Sequence, residues 1–133
     1  MGHRYEWIEE PWIMRVDYFD RLSRDDIEAV MEHCLAALEN HPTYYLVDMT
    51  GVEDVDPHII RCDSLARFSR HPNTKWFALV GLNKTVIKLA VAILGRFTSI
   101  KQFDSVESGA AFLKEMVEYH KQGLGDHKHL PIA

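Results

Sequence analysis

The sequence predicts an α/β domain with a mixed five-stranded sheet and four helices, in the order ββαβαβαβα. Short apolar runs typical of strands alternate with longer segments whose apolar residues recur at helical spacing. Turn and cap residues separate the two kinds of segment. Strands that alternate with helices form parallel pairs joined by right-handed crossovers, so most of this sheet is expected to be parallel.

The first elements are two strands, at residues 5–9 and 12–18, on either side of Glu10-Pro11. Apolar side chains alternate along the second strand, which gives it one fully apolar face. A helix follows, with Ser23 as its N-cap and two aspartates in the first turn, where the helix dipole favours negative charge. Its apolar residues form a single stripe that faces the core.

The later elements repeat this alternation. Residues 44–47 are almost entirely apolar and predict a central strand covered on both faces, followed by a loop at 48–55. Asp56-Pro57 begins the second helix, with a cap and then proline at the first helical position. The remaining predictions are a strand at 76–80, a helix at 83–95, a strand at 98–103 and a helix ending at Gly123.

Length and composition predict one domain, residues 1–123, with a loose tail at 124–133. The chain has 133 residues and a net charge of −5, without a basic run, which argues against nucleic-acid binding. The longest apolar run, 89–94, is far shorter than the roughly 20 residues needed to cross a bilayer. The N-terminus lacks an apolar signal core, so we expect a cytoplasmic protein. Cys34 and Cys62 lie on apolar helix stripes and are expected to be buried thiols.

Two segments resemble the STAS family (sulfate transporter and anti-sigma-factor antagonist). Residues 47–52, Val-Asp-Met-Thr-Gly-Val, followed by Asp56 at a helix start, are similar to the central strand–loop–helix of anti-sigma-factor antagonists. Residues 103–107, Phe-Asp-Ser-Val-Glu, with the apolar positions that follow, resemble the last strand and helix of the SpoIIAA-like branch. The resemblance extends from Trp12 to Met116 and implies the same ββαβαβαβα fold and a role in protein–protein interaction.

The chain departs from this family at the phosphorylation motif. Anti-sigma-factor antagonists carry Asp-Ser-Ser-Gly at this helix start, and a partner kinase phosphorylates a serine there. The matching residues here are Asp56-Pro57-His58-Ile59, without a hydroxyl. The phosphoserine therefore cannot be assigned to any residue of this chain, whereas docking at the same surface stays possible.

The candidate binding residues follow the strand at 44–47, at the edge of the sheet where ligands of open α/β folds bind. They are Thr50, Gly51, Asp54, Asp56, His58 and Ile60. Asp48, Glu53, Asp54 and Asp56 make this loop acidic, which suits a divalent metal or a basic partner, or simply a solvated loop with a capping aspartate. Ile60 is predicted to lie opposite the apolar stripe of its helix, either as an exposed anchor for a partner or as an ordinary surface isoleucine.

The predicted third helix is apolar all round between residues 89 and 94, which indicates cover on more than one side. Leu89, Val91 and Ile93 are therefore candidates for self-association or for binding an apolar ligand. The C-terminal tail is the alternative cover.

Functionally, the sequence favours a non-enzymatic regulatory or scaffold domain that binds a protein partner, without a cofactor or metal. The motifs of phosphate-binding loops, serine hydrolases and zinc proteases are missing from the sequence. The alternatives are a module that binds a lipid-like ligand between the third helix and the sheet, and an enzyme that uses Asp56 and His58. A homodimer is a further possibility.

Overall fold

A computed structural model describes residues 2–61, 63–81 and 99–123. Within these ranges the chain forms one five-stranded sheet, three α-helices and one 3-10 helix. The elements are β1 (His3–Glu9), β2 (Ile13–Leu22), α1 (Arg24–Leu38), β3 (Thr43–Val55), the 3-10 helix (Pro57–Arg61), α2 (Asp63–Arg70), β4 (Thr74–Val80), β5 (Ile100–Phe103) and α3 (Val106–Lys121).

The sheet is mixed, as the sequence predicts. Its strands lie in the order β1-β2-β3-β4-β5, with β1 antiparallel to β2 and all other neighbours parallel. The predicted order of elements is confirmed throughout the described residues. The predicted helix at 83–95, which contains Leu89, Val91 and Ile93, lies outside the described residues, and so does the predicted tail at 124–133.

Helices cover both faces of the sheet. Alternate strand residues point to opposite faces, so a strand that is buried on both sides contributes to two cores. α1 and α2 pack on the first face, which we call the α1/α2 face, through residues that include Val30, Leu38, Leu65 and Phe68. α3 packs on the second face, the α3 face, through Leu113, Met116 and Val117.

β3 is the central strand and supplies both cores. Tyr45 and Val47 face α1 and α2, whereas Tyr44 and Leu46 face α3. All four side chains are buried, which confirms the prediction of a strand covered on both faces. Burying a side chain of this kind contributes about 2 kcal/mol.

Two boundaries differ from the predictions. Residues 48–55, predicted as a loop, continue β3 and pair in parallel with the second half of β2. The register shifts between Asp17 and Phe19 and again between Asp20 and Arg21. These irregularities interrupt the alternation of apolar residues that would have indicated a strand.

The helix predicted to begin at Asp56 is divided. A 3-10 helix comes first, and α2 begins only at Asp63. The N–H of Ile59 donates to the carbonyl of Asp56 at 3.2 Å, the three-residue spacing of a 3-10 turn. Cys34 is buried, as predicted, and burial raises the pKa of its thiol to about 12. Cys62 lies outside the described residues.

Candidate functional site

The candidate binding residues lie along the end of β3 and the turn that follows it. Thr50, Gly51 and Asp54 belong to β3, whereas Asp56 and His58 lie at the start of the 3-10 helix. All of them except the half-buried Asp56 are exposed. The structure thus brings these five residues together at the carboxyl edge of the sheet, where the sequence places them. The side chain of Ile60 lies outside the described part of the molecule.

Thr50 is held by Asp48. The Oδ1 atom of Asp48 accepts hydrogen bonds from the N–H of Thr50 at 2.9 Å and from its hydroxyl at 2.6 Å. Gly81, just past β4, crowds the other side of Thr50, because a Cβ at Gly81 would lie 2.6 Å from Thr50 Cα. The backbone at Thr50 is therefore fixed by contacts from two sides.

Asp54 forms an exposed ion pair with Arg21 of β2. More than half of each side chain remains accessible to water, at 58% for Arg21 and 60% for Asp54. Exposed pairs of this kind contribute little to stability, about 0 to 1 kcal/mol. This ion pair can therefore be broken at small cost.

Asp56 caps the turn that begins the 3-10 helix. Its Oδ1 atom accepts a hydrogen bond from the N–H of His58 at 2.9 Å, and this bond is the main cause of a lowered pKa of the Asp56 carboxyl. The His58 side chain is exposed to solvent. Asp56 is thus a capping residue of this turn.

Three of the four acidic residues of this segment have different partners. Asp48 points to the α3 face, where its Oδ2 atom lies 3.5 Å from Arg15 Nη2. Asp54 pairs with Arg21, and Asp56 binds the backbone. The described residues contain no group of three acidic, histidine or cysteine side chains arranged to hold a metal ion.

A charged pocket that the sequence analysis missed borders this edge on the α3 face. It has a volume of about 320 Å³ and is lined by Arg4, Arg15, Asp17, Tyr18, Phe19, Asp48 and Gly51. Asp17 is its centre: the side chain is only 9% exposed and accepts hydrogen bonds from Arg4 at 3.1 Å and from Arg15 at 2.9 Å. The bond to Asp17 raises the pKa of the Arg15 guanidinium, although burial opposes this.

A signal for this pocket was present in the sequence. Arg15 and Asp17 alternate with apolar residues along β2 and so share one face of the sheet. Arg4 lies on β1 and Asp48 on β3, and each is paired with Asp17 of β2. Predicting that they join the pocket therefore requires the register of all three strands. The exposed Arg4 and the partly buried Arg15 bind two aspartates there, so the pocket is electrically balanced as it stands.

Solved structures show which fold this is. An uncharacterised protein of the DUF3478 family with a SpoIIAA-like fold, from Shewanella loihica PV-4, matches at 16% identity and a TM-score of 0.63, over 84% of this chain and 94% of its own. The unphosphorylated anti-sigma factor antagonist SpoIIAA matches at 11% identity and a TM-score of 0.68, over 86% and 97%.

An anti-sigma factor antagonist from Mycobacterium paratuberculosis also matches, at 8% identity and a TM-score of 0.56, over 85% of this chain and 95% of its own. No protein-family model and no curated protein sequence matches the chain. The chain therefore has the SpoIIAA-like α/β fold that the STAS resemblance implied. None of the described helices is long and apolar enough to span a bilayer.

Proposed function

We propose that this chain is a non-enzymatic regulatory or scaffold domain that binds a protein partner at the carboxyl edge of its sheet. The docking surface comprises Thr50, Gly51, Asp54, Asp56, His58 and Ile60. Structural similarity to two anti-sigma factor antagonists supports a role in regulatory protein interaction. The observation that carries the proposal is that Thr50, Gly51, Asp54 and His58 lie exposed beside the half-buried Asp56 at one edge of the sheet, with the Thr50 backbone held from two sides.

The charge of this edge indicates the chemistry of the partner. Among the described side chains around the docking surface, exposed or half-buried carboxylates outnumber the basic groups, of which Arg21 is bound to Asp54. These carboxylates belong to Asp20, Glu53, Asp54, Asp56 and Asp63. An acidic surface attracts a complementary basic one and speeds their encounter. The partner is therefore a protein that presents lysine and arginine side chains, and its affinity falls as salt concentration rises.

Binding in this proposal does not depend on a phosphoserine at the helix start. The residues there are Asp56-Pro57-His58-Ile59, and Asp56 Oδ1 already holds the turn through the N–H of His58. Asp56 matches the aspartate that begins the family's motif, whereas Pro57 and His58 stand in place of its two serines. The interaction is expected to be constitutive, or else regulated on the side of the partner.

Site-specific crosslinking in the native host tests the location of this surface. A photoreactive benzoylphenylalanine at His58 is expected to capture one defined basic protein, and the same group at the exposed Glu115 of α3 serves as the control. The captured protein is then purified and titrated against the chain. Ile60→Glu is expected to weaken binding at least tenfold, whereas Ala111→Glu, on the exposed side of α3, leaves it unchanged.

Two results of these experiments would refute the proposed docking surface. Equal capture from both positions would place the contact elsewhere or make it non-specific. An affinity unchanged by Ile60→Glu, or independent of salt, would also remove the docking surface from the interaction.

A further inference from the structure

β1 leaves an open edge on the sheet. It pairs with β2 on one side, and no described strand pairs with its outer side. Unpaired N–H and carbonyl groups on such an edge are a template for another strand. Tyr5, in the middle of β1, is also the exposed large hydrophobic residue of the described structure, at 38% exposure.

The register shows which backbone groups point outward. Phe19 donates its N–H to the carbonyl of Gly2 at 2.9 Å, and His3 lies opposite Tyr18 in the antiparallel pair. Hydrogen-bonded and non-hydrogen-bonded pairs alternate along such a ladder. The backbone groups of His3, Tyr5 and Trp7 therefore point away from β2.

The sequence of this edge is self-complementary. Residues 3–7 read His-Arg-Tyr-Glu-Trp, so aromatic rings alternate with a positive and then a negative charge. In an antiparallel pair of two copies centred on Tyr5, Arg4 of each copy lies opposite Glu6 of the other. The same register places His3 opposite Trp7 and brings the two Tyr5 residues together. Opposite charges and aromatic pairs both stabilise cross-strand neighbours.

The two sets of side chains also lie on separate faces. His3, Tyr5 and Trp7 lie opposite Tyr18, Val16 and Met14, which face α1 and α2. Arg4 and Glu6 lie opposite Asp17 and Arg15 on the α3 face. In the paired copies, aromatic contacts would thus form on one face and charge contacts on the other.

The monomer positions these side chains in advance. The Tyr5 ring stacks on His33 of α1, with 4.0 Å between ring centroids. Arg4 binds Asp17 through its Nε and Nη2 atoms, and a guanidinium has five N–H donors in all. Arg4 can therefore keep Asp17 and still bind Glu6 of a second copy.

We propose that β1 is a self-association edge, at which two copies of this chain pair antiparallel about a two-fold axis at Tyr5, so that their described strands form one continuous sheet. This surface is independent of the docking surface on β3 and the 3-10 helix. The contact is short compared with a standard interface of about 1,600 Å². The dimer is therefore weak and depends on protein concentration.

Analytical ultracentrifugation from about 1 to about 500 µM tests the proposal, because this range covers weak association. The unmodified chain is expected to shift from monomer to dimer. Arg4→Glu and Glu6→Arg each place like charges across the edge, and each alone is expected to stay monomeric. An equimolar mixture of the two variants restores both ion pairs and forms the heterodimer. Lys114→Glu, the same change of charge on exposed α3, dimerises normally.

Arg4→Glu also faces Asp17 within its own chain, so its folding must be verified by circular dichroism.

Amide exchange of the unmodified chain gives a second test without substitution. Protection of the Tyr5 and Trp7 amides from exchange is expected to rise with protein concentration, because their N–H groups point outward. Protection of the Arg4 and Glu6 amides, which point toward β2, is expected to stay constant. A monomer at every concentration, or a dimer that survives both variants, overturns the proposal. Protection that does not depend on concentration would show that the chain itself covers this edge, and would overturn it as well.

Discussion

Among single residues, Gly81 is the one on which the proposed docking surface depends most directly. Gly81 adopts φ +79°, and a Cβ there would lie 2.6 Å from Thr50 Cα. Glycine is thus required both by the backbone conformation and by the close approach of two chain segments. Thr50 is held from the other side by Asp48, so Gly81 and Asp48 together set the position of the first residue of the proposed docking surface.

Gly81→Ala is expected to lower the free energy of unfolding by about 2 to 4 kcal/mol, since it combines left-handed strain with a clash against backbone. Gly123→Ala is the matched control: Gly123 has φ +72°, but a Cβ there meets nothing within 4 Å. That variant is expected to lose about 1 kcal/mol. Urea denaturation measures both values, and equal losses would contradict the close contact at Thr50.

Among the secondary-structure elements, β1 and α1 are joined by hydrogen bonds to the Asp26 carboxylate. Its carboxylate is 7% exposed and accepts hydrogen bonds from Gly2 N at 3.1 Å, His3 Nδ1 at 2.5 Å and Ser23 Oγ at 2.6 Å. Ser23 is also the N-cap of α1, and its Oγ accepts the N–H of Asp26. One buried carboxylate therefore links the start of the edge strand to the first turn of the helix.

Asp26→Ala is expected to destabilise the fold by about 2 to 4 kcal/mol, because it leaves several buried donors without an acceptor. Amides of β1 are expected to exchange faster before those of β3 do. Asp25→Ala, an exposed carboxylate in the same helical turn, changes stability by less than about 0.5 kcal/mol. Urea denaturation measures the stability of the two variants, and amide exchange measures the opening of β1. Equal stability and equal β1 exchange in the two variants would refute the role of Asp26 in joining β1 to α1.

The Asp26 carboxyl also makes the stability of the fold depend on pH in the acid range. Burial opposes ionisation of Asp26, but hydrogen bonds from Ser23 and His3 outweigh it and lower the pKa of the carboxyl below the ordinary value of 3.8. The native chain then holds fewer protons than the unfolded chain as pH falls below 3.8. The stability that Asp26 supplies is present above that pH and is lost as pH falls through the native pKa. Asp26→Ala is expected to flatten this part of the stability–pH curve.

The elements with regular periodicity were predictable from the sequence. α1 has one apolar stripe and a serine cap, and β4 is a plain apolar run; both lie where they were predicted. The second half of β3 was missed, because register shifts opposite β2 break its alternation and its residues are of types common in loops. The start of the second helix was misjudged for a local reason, the 3-10 turn after Asp56.

The site was predictable where it follows the chain and hidden where it crosses strands. Thr50, Gly51, Asp54, Asp56 and His58 are close in sequence and end at one edge of the sheet. The pocket around Asp17 joins three strands, so it requires their register, which the sequence does not specify directly. The strand register is also needed to predict which backbone groups of β1 point away from β2.

At the scale of the whole molecule, the two proposed surfaces are compatible. A two-fold axis perpendicular to the sheet keeps each face on its own side and reverses the strand direction. The carboxyl ends of β3 in the two copies would therefore point in opposite directions. A dimer would present two docking surfaces at opposite ends of one sheet, which suits a scaffold that holds two partner molecules apart.

Native mass spectrometry of the chain isolated gently from its own cells tests whether a protein partner docks at the edge that includes Ile60. The measurement is repeated on the Ile60→Glu variant. We expect an additional mass equal to a second, different polypeptide, and its loss in the variant. A chain found alone, as monomer or dimer, or carrying only a small apolar molecule, would refute docking at this edge.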